Sequence, residues 1–118
     1  MDSKSLVLVK SFLNQIIEVT VNRQLGSLHP KWNFKYPVNY GFIKNVLGPD
    51  GEELDAYILK VDKPLEKFMG KVVAIIHRLN DDDDKLIIIP ENESVTNEEI
   101  EKLTFFQEQF FKHEIIRK

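Results

Sequence analysis

The chain has 118 residues, a formal net charge of -3 and no cysteine, with 42% hydrophobic and 30% charged residues. This length and composition suit one globular domain, and they exclude a disordered chain, a fibrous repeat, a disulfide scaffold and a zinc knuckle. No run approaches the roughly 20 apolar residues that cross a bilayer, and the N-terminus lacks the apolar core of a signal peptide. We therefore expect one soluble cytoplasmic domain over 1–118, without a membrane partner.

Hydrophobic periodicity predicts a helix and three strands in the first half of the chain. Apolar residues at helical spacing predict the helix over 3–15, although 6–9 also suits a short strand. Alternation of β-branched residues predicts strands at 17–22, 40–46 and 54–61. A long polar loop over 23–35 separates the first two strands, and a glycine- and proline-rich turn at 48–51 separates the second from the third.

The second half of the chain predicts a β-hairpin and a helix. Two strongly apolar runs, 71–78 and 85–89, flank four consecutive acidic residues as strands flank a hairpin turn, and 64–70 is predicted to be a connection. Thr96 and Glu99 match a capping box at the start of a helix. The apolar stripe of that helix is predicted to be Ile100, Leu103, Phe106, Phe110 and Phe111.

These elements favour a mainly β, α+β fold. About five short strands, a C-terminal helix and no strand–helix–strand alternation are typical of a small closed barrel rather than a doubly wound sheet. We predict an OB-like closed barrel of about five strands packed by the C-terminal helix, with a further helix at the N-terminus.

Acidic residues are concentrated in two short segments. Eight of the 19 acidic residues lie in 50–55 and 81–84, so the remainder of the chain is basic. Close exposed carboxylates repel one another by up to about 1 kcal/mol per pair, so they are either spread in solvent or neutralised by a cation. Taken singly, each segment suits a solvated turn. Together with Lys85 they suit Mg²⁺, which prefers a few carboxylates, waters and substrate phosphates.

The geometry of the first acidic segment leaves two alternatives open. Leu54, Ala56 and Ile58 are predicted to face the core, and Asp55 the opposite face. Glu52 and Asp55 would point to opposite faces of a regular strand, so they share a cation only if the turn or a bulge reorients Glu52.

Two further features have ordinary structural interpretations. Residues 31–42 interleave aromatic and basic side chains, as in a stacking surface for single-stranded nucleic acid, but the acidic net charge disfavours a nucleic-acid partner. A strand that buries Phe34, Tyr36 and Phe42 is the favoured explanation. Arg78, beside acidic residues at a strand end, is interpreted as a surface salt-bridging group.

Two ordered motifs carry a resemblance to a known family. The sequence Y-P-V-N-Y-G-F at 36–42, followed after a short gap by D-G-E-E-L-D at 50–55, resembles the soluble magnesium-dependent inorganic pyrophosphatases of family I. The block 71–90, with its acidic loop ending in D-D-K, and the segment 106–112, ending in Phe111-Lys112, are similar to the next family blocks. The resemblance covers 36–112, about two thirds of the chain.

This resemblance implies an OB-like barrel that hydrolyses diphosphate with several Mg²⁺ ions, or Mn²⁺, and that assembles as a homo-oligomer. It implies metal ligation by Asp50, Asp55 and Asp83, with Glu52 at the central acidic position as a further ligand and base. The implied phosphate contacts are Tyr40, Lys85 and Lys112. The catalytic candidates are then Glu52, Asp55 and Lys85.

The chain departs from the family pattern at several positions. Glu52 replaces an Asp and Phe111 replaces a Tyr, which removes a hydroxyl donor. Arg78 stands where the family has another metal-binding Asp, so Asp81 or a neighbour is expected to substitute. The family's N-terminal substrate contacts are missing between 22 and 36. Arg23 is a candidate for substrate binding in their place, beside His29 and Lys31, and the spacing does not choose among the three.

The leading hypothesis is Mg²⁺-dependent hydrolysis of inorganic diphosphate to phosphate by a metal-activated water. A related alternative keeps this chemistry and changes the substrate to a nucleotide or another diphosphate. The alternative from another class is a non-catalytic OB-like module that binds metal, phosphate or nucleic acid.

Overall fold

The computed structural model describes residues 4–49, 51–79 and 83–117. Within these ranges the chain forms two helices and six strands. In chain order they are α1 (Lys4–Lys10), β1 (Ile16–Arg23), β2 (Asn39–Leu47), β3 (Glu53–Ile58), β4 (Lys67–Arg78), β5 (Lys85–Ile89), α2 (Asn97–Glu108) and β6 (His113–Ile116).

Five of the strands close a barrel. Their order is β1-β2-β3-β5-β4, and β1 pairs again with the first half of β4 to complete the ring. All neighbours are antiparallel except β3 and β5, which run parallel. The short strand β6 extends the sheet along the last part of β4. The predicted OB-like closed barrel of about five strands, with a C-terminal and an N-terminal helix, is confirmed.

Strand alternation gives the barrel two apolar cores. Side chains from alternate positions fill the interior, where Leu54, Ala56 and Ile58 of β3 lie as predicted, and α1 closes one side with Leu6 and Val9. The intervening positions face outwards, and α2 covers them to form a second core. Its buried residues are Val38, Tyr57, Leu59, Ala74, Ile76, Ile87, Ile89, Val95 and Ile100.

The helix α2 begins as predicted but ends earlier. The Thr96 side chain accepts a hydrogen bond from the Glu99 backbone N–H, and the Glu99 carboxylate accepts one from the Thr96 N–H. The helix ends at Glu108, so Phe110 and Phe111 lie beyond it and are exposed rather than part of its buried stripe. The cause is β6, which the sequence analysis missed and which pairs with 75–78 of β4.

The segment 64–70, predicted to be a connection, contains the first four residues of β4. Lys67–Gly70 pair with β1, and this pairing closes the barrel. Gly70 has no room for a side chain, because a Cβ there would press on the Ile89 carbonyl oxygen. Neither described helix is long and apolar enough to cross a bilayer.

Candidate active site

Polar side chains meet on the outer face of the barrel, where β4 and β5 flank the acidic loop. Asp55 and Lys85 lie next to each other because their successors, Ala56 and Leu86, are partners in the parallel β3–β5 pair. Alternation keeps both on the face that also carries Tyr57 and Ile87, two residues further along. The structure therefore unites two residues that lie 30 positions apart in the sequence.

The strand pair β1–β2 adds Arg23 and Tyr40 to this face. A bulge between Val21 and Arg23 shifts the register, so Arg23 pairs with Tyr40 instead of pointing into the barrel. Gly41 permits the close approach of the two strands, because a Cβ at this position would collide with the Thr20 carbonyl oxygen. The glycine of the Y-G-F motif thus has a packing role beside the site.

Lys85 joins the two acidic segments. Its Nζ lies 2.6 Å from Oδ2 of Asp55 and 2.8 Å from Oδ1 of Asp83, and the side chain is only 2% exposed. The Tyr40 hydroxyl donates to the same Asp55 oxygen at 2.9 Å. One carboxylate oxygen of Asp55 therefore receives two donors, and a buried ammonium group lies between two half-buried carboxylates.

The protonation of these donors is fixed by their surroundings. Burial raises the pKa of Tyr40 above the usual value of a tyrosine, although Lys85 opposes the rise, so the hydroxyl keeps its proton at neutral pH. Burial alone would lower the pKa of Lys85, but Tyr40, Asp55 and Asp83 raise it above its usual value. The site accordingly offers one neutral donor and one permanent cation.

Arg78 was predicted to be a surface group, and this prediction is wrong. The side chain is 5% exposed, and its Nε and Nη2 donate to Oε1 and Oε2 of the fully buried Glu108 at 3.0 and 2.8 Å. Nη1 donates to Asp83 at 3.2 Å, and the Tyr57 hydroxyl donates to Glu108 at 2.7 Å. A bidentate pair of this kind fixes the guanidinium, so Arg78 ties the end of α2 to the acidic loop.

A cavity of about 290 Å³ lies on the acidic side of the site, and we name it the acidic cavity. Its lining residues are Asn22, Phe42, Glu52, Glu53, Asp55 and Asp83. The turn therefore brings Glu52 to the same cavity as Asp55 and Asp83, which a regular strand would not do. Gly51, with a φ of 82°, supplies the backbone conformation that this turn needs.

The donor set of the acidic cavity fits a hard cation. Carboxylate oxygens are the ligands that Mg²⁺ prefers, and Glu52, Asp55 and Asp83 supply them on one cavity. Among the described residues, however, no three His, Asp or Glu side chains are already gathered at metal-binding distance. The other two predicted ligands, Asp50 and Asp81, lie outside the described residues.

A second cavity, of about 820 Å³, lies on the other side of Asp55 and Asp83, which line both, and we name it the aromatic cavity. Lys85, Arg78 and Tyr40 form its polar side. Its other lining residues are His29, Trp32, Phe34, Phe106, Gln107, Gln109, Phe110 and Phe111. Of the three aromatic residues predicted to be buried in a strand, Tyr36 is buried, whereas Phe34 and Phe42 are half-buried and line the aromatic and the acidic cavity. The strand begins only at Asn39, and Trp32 is 72% exposed.

Lys112 and Arg23 line neither cavity. Lys112 is exposed, and its carbonyl oxygen accepts a hydrogen bond from the Leu79 N–H. The Arg23 guanidinium interacts with the Tyr36 hydroxyl and opposes the burial that raises the pKa of Tyr36. Their substrate contacts stay predictions.

Sequence reasoning missed Glu108 and the aromatic cavity. Ile100, Thr104 and Glu108 are four residues apart and share the buried face of α2, so helical periodicity alone indicates an acidic residue inside. A buried Glu needs a cationic partner, which Arg78 supplies. No local pattern indicates that 29–34 and 106–111 meet in space.

Comparisons with known proteins find related sequences and structures. A family model described as inorganic pyrophosphatase matches residues 15–116. The chain is similar to the inorganic pyrophosphatase of Streptomyces coelicolor, with 39% identity over 47% of this chain and 36% of the relative. It is also similar to that of Mycoplasma genitalium, with 40% identity over 49% and 33%. The matches thus span about a third of the length of these curated relatives.

Solved structures with the same fold include two inorganic pyrophosphatases. That from Helicobacter pylori aligns with a TM-score of 0.66 and 19% identity over 87% of this chain and 85% of its own. That from Ehrlichia chaffeensis aligns with a TM-score of 0.68 and 16% identity over 89% and 87%. At this level of identity the alignments establish the fold.

Proposed function

The chain belongs to the inorganic pyrophosphatase family, and on that premise we propose that it hydrolyses the phosphoanhydride bond of inorganic diphosphate in a Mg²⁺-dependent reaction. One observation carries this proposal. Asp55 lies between the carboxylates of the acidic cavity and the donors Tyr40 and Lys85, so cation ligands and phosphate donors meet at one side chain.

Glu52, Asp55 and Asp83 would hold the ion, together with Asp50, as the resemblance implies, and with Asp81 or a neighbour in place of the family Asp that Arg78 replaces. When bound, Mg²⁺ supplies positive charge to both phosphoryl groups and lowers the pKa of a nearby water. The hard oxygen donors of the cavity also accommodate Mn²⁺.

The chain's own residues supply the remaining parts of the reaction. Glu52 accepts a proton as the water oxygen attacks one phosphorus, the bridging P–O bond breaks, and two phosphates leave. Lys85 and the neutral Tyr40 hydroxyl donate to the phosphate oxygens that gain charge, and Arg23 and Lys112 are proposed as further phosphate contacts. Such donors act by position and charge, which the barrel fixes before substrate enters.

The departures from the family pattern affect the rate we expect. The extra methylene of Glu52 moves its carboxylate by about 1 Å relative to an Asp, and such a displacement can cost about a hundredfold in rate. Arg78, in place of a carboxylate, is held by Glu108 and leaves one ligand fewer on β4. We therefore expect a slow hydrolase.

Phosphate release from diphosphate tests the proposal, with Asp55→Asn as the decisive variant and Asp62→Asn as its matched control. Asp62 is exposed and lies outside both cavities. We expect Asp55→Asn to lower the Mg²⁺-dependent rate about a hundredfold or more, and Asp62→Asn to leave it unchanged. Chelation of the metal should abolish release. Equal rates in wild type and Asp55→Asn would reject the site.

One observation favours a non-catalytic alternative, which is that Arg78, held by Glu108, stands where the family has a metal-binding Asp. A binding module would take up diphosphate and Mg²⁺ without releasing phosphate. Calorimetric titration beside the release assay separates these functions, because binding with no turnover over a day supports the module.

We also propose a cytoplasmic location and a homo-oligomeric state. The resemblance to the soluble inorganic pyrophosphatases supports both the location and the assembly. Cell fractionation tests the first and sedimentation velocity the second.

A further inference from the structure

The aromatic cavity is built by two segments that are distant in the sequence. One is a short hairpin with a bridge between Leu28 and Lys35, and the other is the end of α2 with the turn that follows it. Phe34 and Phe106 join the two segments edge to face, with ring centroids 5.7 Å apart. We name the aromatic lining residues the aromatic wall: His29, Trp32, Phe34, Tyr40, Phe106, Phe110 and Phe111. Because rings of the two segments pack against each other, the aromatic wall is a packed structure and not a set of unrelated surface rings.

Local hydrogen bonds hold Trp32 at the tip of the hairpin. The backbone N–H groups of Lys31 and Trp32 both donate to Nδ1 of His29, at 3.0 and 3.1 Å. The His29 N–H donates to the Phe34 carbonyl oxygen at 2.8 Å. A structured turn thus presents the indole to the cavity, although the side chain is 72% exposed.

A row of rings leads from this turn to the acidic groups. The rings of His29 and Tyr36 stack with their centroids 6.1 Å apart, and the rings of Tyr36 and Tyr40 stack at the same centroid distance. The Tyr40 hydroxyl donates to Asp55. The aromatic wall is accordingly continuous with the place where we propose hydrolysis.

Inorganic diphosphate cannot account for this wall, because it has no apolar surface. A cavity of about 820 Å³ is within the usual range for organic ligands, about 300–1,000 Å³. Phe110 and Trp32 both line this cavity and are 76% and 72% exposed, and large exposed rings in a concave site are typical of a binding surface. Exposed ring faces lie in the same cavity as Lys85 and Arg78, whose charges Asp55, Asp83 and Glu108 balance. Such a site suits a planar ring that carries a diphosphate bound together with Mg²⁺.

The charged end of the cavity suits a phosphoanhydride. Lys85 lies 5.8 Å from the Tyr40 ring centre, and the Arg78 guanidinium lies 3.7 Å above the Phe111 ring. Each cation therefore lies near one aromatic ring, and each also forms an ion pair with Asp83. A ligand with a planar group at one end and a diphosphate at the other would satisfy both ends.

We propose that this site takes an organic diphosphate of the nucleoside diphosphate class, with the heteroaromatic base stacked on the exposed rings of Trp32 and Phe110 and the diphosphate at Lys85 and Asp55. This inference rests on the proposed function and extends its substrate from inorganic diphosphate to nucleoside diphosphates. In the corresponding reaction water attacks the terminal phosphorus and the bridging P–O bond breaks. Phosphate and a nucleoside monophosphate leave, and one proton is released to solvent.

Calorimetric titration with two non-hydrolysable probes tests this inference. The probes are adenosine 5′-(α,β-methylene)diphosphate and methylenediphosphonate, which has the same diphosphonate group and no base, each with Mg²⁺. We expect the nucleotide probe to bind wild type about tenfold more tightly or better, because base stacking on aromatic side chains stabilises the complex. In Trp32→Ala and Phe110→Ala we expect the ratio of the two affinities to fall to about one.

Phe105→Ala is the matched control. Phe105 is 60% exposed and belongs to α2, but it does not line the cavity. The substitution should keep the tenfold ratio. Because all three rings are exposed, we expect each variant to fold, and circular dichroism checks this.

The outcomes separate this inference from the proposed function. Equal affinities of wild type for the two probes would overturn the inference, while the release assay with Asp55→Asn still decides the proposed function. Failure of both probes to bind would overturn both. A wild-type dimer that becomes monomeric in Trp32→Ala, with no preference for the nucleotide probe, would show that the wall joins two copies of the chain, and this too overturns the inference.

Discussion

The acidic and the aromatic cavity share Asp55 and Asp83, but different structural elements form the rest of each. Strand ends and tight turns form the acidic cavity, and its position follows from the pairing of β2, β3 and β5. A loop hairpin and the end of α2 form the aromatic side of the other cavity, and barrel strands supply its polar side with Tyr40, Arg78 and Lys85. The comparison teaches that the proposed ion site is formed by the barrel itself, whereas the proposed base-binding side is formed by segments packed on the barrel.

Glu108→Gln should have the largest effect on stability. It tests whether the aromatic cavity depends on the buried pair of Arg78 and Glu108. Glu108 accepts three hydrogen bonds, two of them from Arg78, and its side chain is fully buried. Removal of its charge leaves a buried guanidinium without its main partner, so we expect a loss of about 3 kcal/mol in the free energy of unfolding. Urea denaturation measures this.

Glu91→Gln, at an exposed position outside both cavities, is the control and should change stability by less than about 0.5 kcal/mol. Equal stabilities of wild type and Glu108→Gln would show that the Arg78 pair does not hold α2 on the barrel.

Lys85→Met tests the boundary between the two cavities. Lys85 separates Asp55 from Asp83, which are 30% and 40% exposed, so solvent screening reduces the expected loss to about 2 kcal/mol. The two carboxylates then repel each other, and Mg²⁺ should restore part of the lost stability. Thermal unfolding with and without Mg²⁺ measures this.

Lys102→Met, which alters an exposed lysine of α2, is the matched control for Lys85→Met. A variant Lys85→Met that is destabilised equally with and without Mg²⁺ would indicate that the acidic cavity does not bind the ion.

The pH dependence of stability gives a smaller effect that again concerns Glu108. Burial alone would raise the pKa of Glu108, but the hydrogen bonds from Arg78 and Tyr57 lower it below the usual value of a glutamate. A lowered pKa in the folded state adds stability at neutral pH, and this contribution is lost as the pH falls below about 4.5 towards the folded value. Wild type should therefore lose stability in acid more steeply than Glu108→Gln, whereas parallel curves would contradict the assignment.

Much of the fold could be predicted because its determinants are local. Alternation in 54–58 placed three side chains in the barrel interior, and the capping box located the start of α2. The end of α2 could not be predicted in this way, because the chain leaves the helix at Glu108 to reach β6, which pairs with a strand about 40 positions earlier.

The site was predictable only in part. The two acidic segments and Lys85 are visible in the sequence, and the structure brings Glu52, Asp55 and Asp83 to one cavity. The orientation of Arg78 was not predictable, since its partner Glu108 lies 30 residues away on another element. The aromatic cavity depends on a contact between a loop and a helix end, for which the sequence has no periodic pattern.

Binding of Mn²⁺, measured by electron paramagnetic resonance in the presence of methylenediphosphonate, tests most directly whether the acidic cavity holds a divalent ion beside a diphosphate. We expect wild type and Asp62→Asn to bind the ion equally, and Asp55→Asn to bind it about a hundredfold more weakly. Equal binding of Mn²⁺ by wild type and Asp55→Asn would contradict the central claim that Asp55 joins the ion site to the phosphate site.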